Sequence, residues 1–412
     1  MKDLQFFAGI DWGYEQHQAC LIDSSGNKVA EHKFNHGDGL NQLAKWLMHH
    51  SDGACVSVAI ETPHGPVVDT MMERDYTVYS INPKQLDRFR DRLSPSGAKD
   101  DRRDAMVLAI SLLTDSHCFR QLQPHSAEIV ELRELSRIAE NLTKNRTQLT
   151  NQINQALWRY YPQFLKLGSK DLAKNWIAEL WNKAPTPKAA KRLRKTSVEK
   201  LLKRNRIRRI GADEVIKILK QPSFPVAAGT EQAVCVTLTV AFQQLQLVQQ
   251  QYAEISRQTE SVIKRLEQSS EDESDHSWQR DVTILSSIPG VGSIVLATLL
   301  AESSDAWRRR DRKALRCLCG VAPVTKQSGK SRIVSRRLAC NNRLRNAVYH
   351  WANVAIHHDQ ISDAKYKALR ARGYSHPRAV RGVADRLLGV AVAMLNNQTE
   401  FKREQPVLQK AA

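Results

Sequence analysis

Apolar and polar positions along the first 120 residues follow two rhythms in turn. FFAGID (6–11) is a short apolar run closed by an acid and reads as a buried strand. QACLID (18–23) and KVAEHKF (28–34) flank Ser-Ser-Gly-Asn, a turn sequence that makes them antiparallel neighbours. The rhythm then changes. Asp38 stands as a cap before GLNQLAKWLMHH, which reads as a helix. VSVAIE (56–61) and YTVYSI (76–81) are two further strands, the second ended by Asn82-Pro83. After SPSGAK, the segment DDRRDAMVLAISLLTD reads as a helix.

Three hairpin-like strands, then strand and helix in alternation, match the ribonuclease H topology, so residues 1–120 are expected to form an α/β domain. Beyond them the pattern is helical. Leu135, Ile138, Leu142, Leu149, Ile153 and Leu157 are placed on one face of a helix over 126–160. Leu238, Ala241, Leu245, Val248, Tyr252, Ile255, Thr259, Val262 and Leu266 alternate at spacings of three and four, a heptad seam of about four repeats. Two such helices make either an antiparallel coiled-coil arm or an ordinary helical bundle. Between them lies a basic insert, about 164–228, in which Glu199 is the only acid from Lys188 to Arg209. The acidic linker SSEDESD (269–275) divides this arm region, 121–275, from a mostly helical, Arg-rich unit, 276–412.

A chain of 412 residues, 42% hydrophobic, has material for two or three domains with real cores. Its 62 Lys and Arg against 43 Asp and Glu give a net charge of +19, which favours a polyanionic partner through counterion release. A charge run is ordinarily a solvated face. The stretch holding Lys191, Arg192, Arg194 and Lys195 is dense and one-sided enough to expect contact with a nucleic-acid backbone. The seven cysteines form no C-x-x-C pair, so neither a zinc knuckle nor a disulfide framework is signalled, and a reducing cytoplasm fits. The apolar N-terminal stretch is too short for a signal peptide. The run 284–301 is broken by Ser-Ser and Pro289-Gly290 and should not span a membrane.

Against this basic background four acids stand out. Asp11 leaves the first strand and Glu61 the fourth, and a ribonuclease H-like sheet sets those strands side by side. Asp101 and Asp104, three apart, share one helix face near its N-terminus. Four converging carboxylates need a cation, and hard oxygen ligands suit Mg²⁺ or Mn²⁺. Two ions would activate a nucleophile and stabilise a leaving oxygen. Asp100 competes for the place of Asp101, and helix-start acids also answer the helix dipole. The pairs His49-His50 and His357-His358 lack ligand spacing.

Two glycine-bearing turns carry further chemistry. Gly290 and Gly292 in SSIPGVG open a helix, either as a helix-hairpin-helix turn whose N–H groups meet phosphate or as a plain interhelical turn. Ser328-Gly329 lies between Lys326 and Lys330, with Arg332, Arg336 and Arg337 following. A serine hydroxyl is a poor nucleophile unless its proton is taken. From the residues alone, this is a basic turn that touches phosphate. The arginines of the segment from Tyr366 either contact phosphate or pack the domain.

GIDWGYEQH, the passage from IETPHGPVVDT to GAKDDRRDA, SSIPGVG and GVAPVTKQSGKSRIVSRR together resemble the insertion-sequence-110 transposases, the DEDD or bridge-RNA-guided recombinases. The resemblance covers both ends of the chain in order, and the middle only in helical character. It implies a RuvC-like N-terminal domain, a coiled-coil arm and a C-terminal transposase domain. It implies Mg²⁺ on Asp11, Glu61, Asp101 and Asp104, and attack on DNA by Ser328 that leaves a phosphoserine link and a 3′-hydroxyl. It also implies donor and target DNA, each paired with a structured guide (bridge) RNA encoded by the element. A homodimer or homotetramer is expected, one subunit's acids acting with another's serine, in the bacterial cytoplasm at the nucleoid. Thr62-Pro63-His64-Gly65 departs from the family's small residue and Thr-Gly, and the insert is longer than in compact relatives. The rival readings are a RuvC-like Holliday-junction nuclease that uses water, and a non-catalytic nucleic-acid-binding protein.

Overall fold

The computed structural model describes residues 5–93, 100–123, 126–168, 172–222, 225–227, 229–268 and 276–402. The chain divides into two compact units, Met1–Pro124 and His125–Ala412. The expected turn SPSGAK (94–99) and linker SSEDESD (269–275) lie outside the described residues.

The first unit is built on a six-stranded sheet. Its strands are β1 (Gln5–Trp12), β2 (Gln16–Ile22), β3 (Lys28–Asn35), β4 (Cys55–Ile60), β5 (Thr77–Ser80) and β6 (Arg120–Gln121), in the order β3-β2-β1-β4-β5-β6. β1, β2 and β3 form an antiparallel meander, β4 runs parallel to β1 and β5 parallel to β4, and β6 closes the edge antiparallel. Four helices accompany it: α1 (Asp38–His50), α2 (Pro66–Met72), α3 (Pro83–Leu93) and α4 (Asp101–Thr114). Because side chains alternate across a strand, the sheet has two differently packed faces. Ala8, Ile10, Val56, Val58 and Ile60 join Leu43 and Leu47 of α1 and Met71 of α2 in one core. Ala59 on the other face packs with Leu86 of α3 and Leu108 of α4. β1 and β4 are adjacent, as the sequence leads one to expect. Asp38, expected to cap α1, instead sits in its first turn. Gly37 holds the cap position with φ 84°, and no side chain caps the helix.

The second unit is helical. α5 (Ala127–Tyr160) is followed by the short helices α6 (Pro162–Leu165), α7 (Asn175–Lys183), α8 (Pro187–Lys191), α9 (Lys195–Arg204) and α10 (Ala212–Leu219), and then by α11 (Thr230–Gln268). α5 and α11 lie antiparallel. Ile153 and Leu157 share a core with Leu238, Ala241 and Leu245, while Ile129, Leu132 and Leu135 share another with Val262, Ile263 and Leu266. The α11 seam read from the sequence is the packed face: seven of its nine residues are buried, and Tyr252 and Ile255 are half-buried. On α5 the expected face holds at Leu135, Ile153 and Leu157, but Ile138 is 43% exposed. No residue from 141 to 150 is buried, so the helix serves two cores, one at each end.

The insert packs into the same core as Ile153, Leu157, Leu238, Ala241 and Leu245. Trp176, Trp181, Phe164 and Tyr161 are fully buried there, and Trp181 Nε1 donates to Thr239 Oγ1 at 3.2 Å. The rest of the unit comprises α12 (His276–Ser287), α13 (Ser293–Arg308), α14 (Arg312–Leu318), β7 (Val324–Ser328), β8 (Ser331–Ser335), α15 (Asn342–His358), α16 (Gln360–Ala371) and α17 (His376–Asn397). Trp307 and Trp351 anchor its core among Leu299, Val348, Leu387 and Leu388. Among the described residues, no helix is long and apolar enough to cross a membrane.

Candidate active site

The carboxylates gather where β1 and β4 end beneath the first turn of α4. Gly9 and Asp11 point to one face of β1, and Ala59 and Glu61 to the same face at the end of β4, because side chains repeat every second residue. The parallel register pairs Ile10 with Ile60, so Asp11 and Glu61 follow neighbouring positions. α4 reaches this face because residue 9 has no side chain: a Cβ there would lie 1.9 Å from the carbonyl oxygen of Ala105. Asp101 and Asp104 both fall in the first turn of α4. Asp100, the rival for the third place, is the N-cap instead, its side chain accepting from the Arg102 N–H at 3.3 Å. Gly65 closes the loop after Glu61 at φ 106°, where a Cβ would strike the ring of Trp12, the neighbour of Asp11.

The charges are felt most at Asp11. Burial, then the negative charges of Asp104, Asp101 and Glu61, push its carboxyl from the ordinary 3.8 up to about 6, with Arg90 opposing. Asp104 is buried and bound on both oxygens by Arg90, Nε to Oδ1 at 2.5 Å and Nη2 to Oδ2 at 2.8 Å. Arg90 also pairs with Asp87. Asp101 is exposed and Glu61 half-buried. Among the described residues no trio of Asp, Glu, His or Cys forms a ready-made metal cage. The chemistry of the set nevertheless fits a hard divalent cation: all four groups are carboxylates, and their mutual repulsion is what such a charge relieves. The sequence reading missed Arg90, whose place on a charged helix carried no special signal. It also missed Gly9, although a strand glycine signals close backbone approach.

Ser328 lies at the tip of a two-stranded ribbon. β7 and β8 pair only with each other, from Val324 opposite Ser335 at the base to Ser328 opposite Ser331 at the tip. Gly329 makes the turn at φ 54°. Ser328 is exposed, as are Lys326, Lys330, Arg332 and Arg336. Lys326 shares the serine's face by alternation, while Arg332, opposite Gln327, belongs to the other. Arg337 is half-buried, its Nε donating to the Ala322 carbonyl at 3.3 Å.

The remaining residues singled out in the sequence fall in two places. Gly290, at φ 85°, packs against α15: a Cβ would lie 3.0 Å from Ala355 N and Trp351 O, and the Trp351 indole donates to Pro289 O at 3.0 Å. Gly292 caps α13 and is exposed. Packing alone accounts for the first glycine, and it leaves the second open to a ligand. Lys191, Arg192, Arg194 and Lys195 are exposed on the insert, with Lys195 Nζ 2.5 Å from Asp213. The preceding tryptophans are core residues and offer no stacking surface.

Comparison with known proteins gives two family matches: a DEDD-type transposase profile over residues 8–162, and the profile "Transposase IS116/IS110/IS902 family" over residues 282–367. The chain is 32% identical to the mini-circle putative transposase for IS117 of Streptomyces coelicolor, over 99% of both chains. It is 50% identical to the putative transposase y4uE of Sinorhizobium fredii over 50% of this chain, a match spanning 58% of that protein. An uncharacterized 43.6 kDa protein of insertion element IS110 from Streptomyces coelicolor is 23% identical over 98% of this chain and 97% of its own.

Proposed function

Since this chain belongs to the IS110 family of transposases, and so to the DNA-processing enzymes, we propose that it is an RNA-guided recombinase that cuts and exchanges DNA strands through a serine–DNA link. The observation that carries this reading is the acid set at the ends of β1 and β4, whose charges converge on Asp11. The first unit takes the metal-binding, RuvC-like part. The paired helices α5 and α11 take the coiled-coil arm, and the region from residue 276 the transposase part.

In this reading Ser328 Oγ attacks a backbone phosphorus. The new O–P bond replaces the bond to the 3′ oxygen, which leaves as a hydroxyl after gaining a proton. Lys326 and Lys330 hold the phosphate charge beside the serine. Asp11, Glu61 and Asp101, with Asp104 oriented by Arg90, would hold Mg²⁺ or Mn²⁺, which supplies Lewis-acid stabilisation of phosphate oxygens. The two parts of the site belong to different units, which fits a homodimer or homotetramer in which one subunit's acids serve another's serine. The net charge of +19 fits donor and target DNA together with a structured bridge RNA, held in part by the insert. Choice of sequence then rests on base pairing.

The test uses the purified chain with its copurifying RNA, donor and target DNA and Mg²⁺, run on a denaturing gel. A covalent adduct is expected from the native chain, and none from Ser328→Ala. Cleavage of branched DNA without adduct or RNA would favour the water-using junction nuclease. Unchanged activity in Asp11→Asn and Glu61→Gln would leave only a binding protein.

A further inference from the structure

A cavity of about 300 Å³ opens at the base of the serine ribbon, between the end of β8 and the start of α17. Arg336, Arg337, Arg378 and Arg381 line it, together with Asp385. The one acid is already neutralised: Asp385 accepts from Arg316 on both oxygens, at 2.7 and 2.9 Å, and Arg312 stands 3.9 Å away. The arginines have no such partner. Among the described residues, neither Arg336, Arg378 nor Arg381 makes an ion pair. Arg378 Cζ sits over the Tyr374 ring, 3.8 Å from its centroid, and this contact helps to hold the guanidinium in place. Arg337 is anchored by its bond to Ala322 O. Arg381 is half-buried, and burial, then Arg336 and Arg378, hold its pKa below the ordinary value. A fold that crowds cations without an acid to answer them is arranged for an anion that arrives later.

We infer that this cavity is a DNA backbone-phosphate site, in which Arg336, Arg378 and Arg381 grip the same DNA that meets the serine ribbon. The inference rests on the reading of Ser328 as the residue that meets DNA. Arg336 directly follows Ser335, the last residue of β8, so the cavity and Ser328 belong to one ribbon. Four residues separate the base from the tip, about 14 Å of strand. That span is short enough for one DNA segment to reach both the cavity and Ser328, so the gripped phosphate lies within a few nucleotides of the one at Ser328. This contact fixes the register of the DNA against the serine and carries no sequence information of its own.

The test is equilibrium binding of a short DNA duplex to the full chain by fluorescence anisotropy, titrated with salt. Arg381→Gln and Arg336→Gln should each lower the salt slope by about 1 and weaken binding about tenfold. Arg257→Gln, in an exposed pair with Glu254 on α11, serves as the control and should leave the slope unchanged. Without DNA, Arg381→Gln should melt no lower than the native chain, because a crowded charge has been removed. Arg336 is exposed, so its variant reads the site even if Arg381→Gln folds poorly. A neutral methylphosphonate stepped through the first few linkages on either side of the cleaved one should, at one position, weaken the native chain and not Arg381→Gln. Unchanged slope and affinity in both variants would overturn the inference, as would a loss seen only with an RNA duplex. The salt slope reads the cavity and the covalent adduct reads the serine, so the two proposals fail separately.

Discussion

Asp11→Asn perturbs the candidate site with the least change of shape. In the folded chain the carboxyl is raised from 3.8 to about 6, which corresponds to about 3 kcal/mol of disfavoured charge. Asp11 is only half-buried, and solvent screening reduces this to about 1–2 kcal/mol. The sign follows from linkage. An acid whose folded pKa lies above its unfolded value costs nothing below 3.8, and the cost grows as pH rises to about 6 and is complete above it. Without divalent cations, Asp11→Asn should therefore be the more stable protein at about pH 7.5 and equal to the native chain at about pH 4. The expected gain is about 5 °C in the melting of the first unit. Mg²⁺ should reverse the order by stabilising the native chain and not the variant. Calorimetry of the full chain at both pH values, with Mg²⁺ and with chelator, reads all four conditions. A variant less stable than the native chain at neutral pH in chelator would refute the claim that the acids repel one another.

Three further outcomes follow from the same geometry. Gly9→Ala should cost about 1–3 kcal/mol and shift α4, so that Mg²⁺ stabilisation weakens together with cleavage; calorimetry and the adduct assay check both. Arg90→Met leaves the Asp104 carboxylate buried without its partner and should lower stability by about 3–5 kcal/mol, part of which Mg²⁺ restores; denaturant titration in both conditions measures it. Trp181→Ala should cost about 3–5 kcal/mol by opening a cavity in the core that the insert shares with α5 and α11 while leaving Mg²⁺ binding intact, as chemical denaturation and magnesium titration would report.

In the first unit β1 to β5, α1 and α4 were legible from short apolar runs, a turn sequence and helix-start residues, whereas α2 and α3 were not read. β6, two residues long, gave no pattern to read either. The acid positions were legible for the same reason, since each sits at the end of such a pattern. The choice between Asp100 and Asp101 was not, because backbone geometry makes the first a cap. The seam of α11 emerged residue by residue, whereas α5 changes partners midway and so breaks its expected face at Ile138. Trp176 and Trp181 stand shortly before the basic run. Both are buried in the core that the insert's short helices share with α5 and α11. The arginine cavity was beyond a linear reading: Arg336 and Arg381 lie 45 positions apart and meet only when α17 folds beside the ribbon.

The claim that the exposed serine joins to DNA is tested most directly by finding the linked atom. After reaction with DNA and Mg²⁺, the chain is digested with nuclease and protease, and its peptides are analysed by mass spectrometry. The account predicts a nucleotide remnant on the peptide containing Ser328, localised to that residue, and its absence from Asp11→Asn. Cleaved DNA with no remnant on any peptide, or a remnant on a different residue, would contradict it.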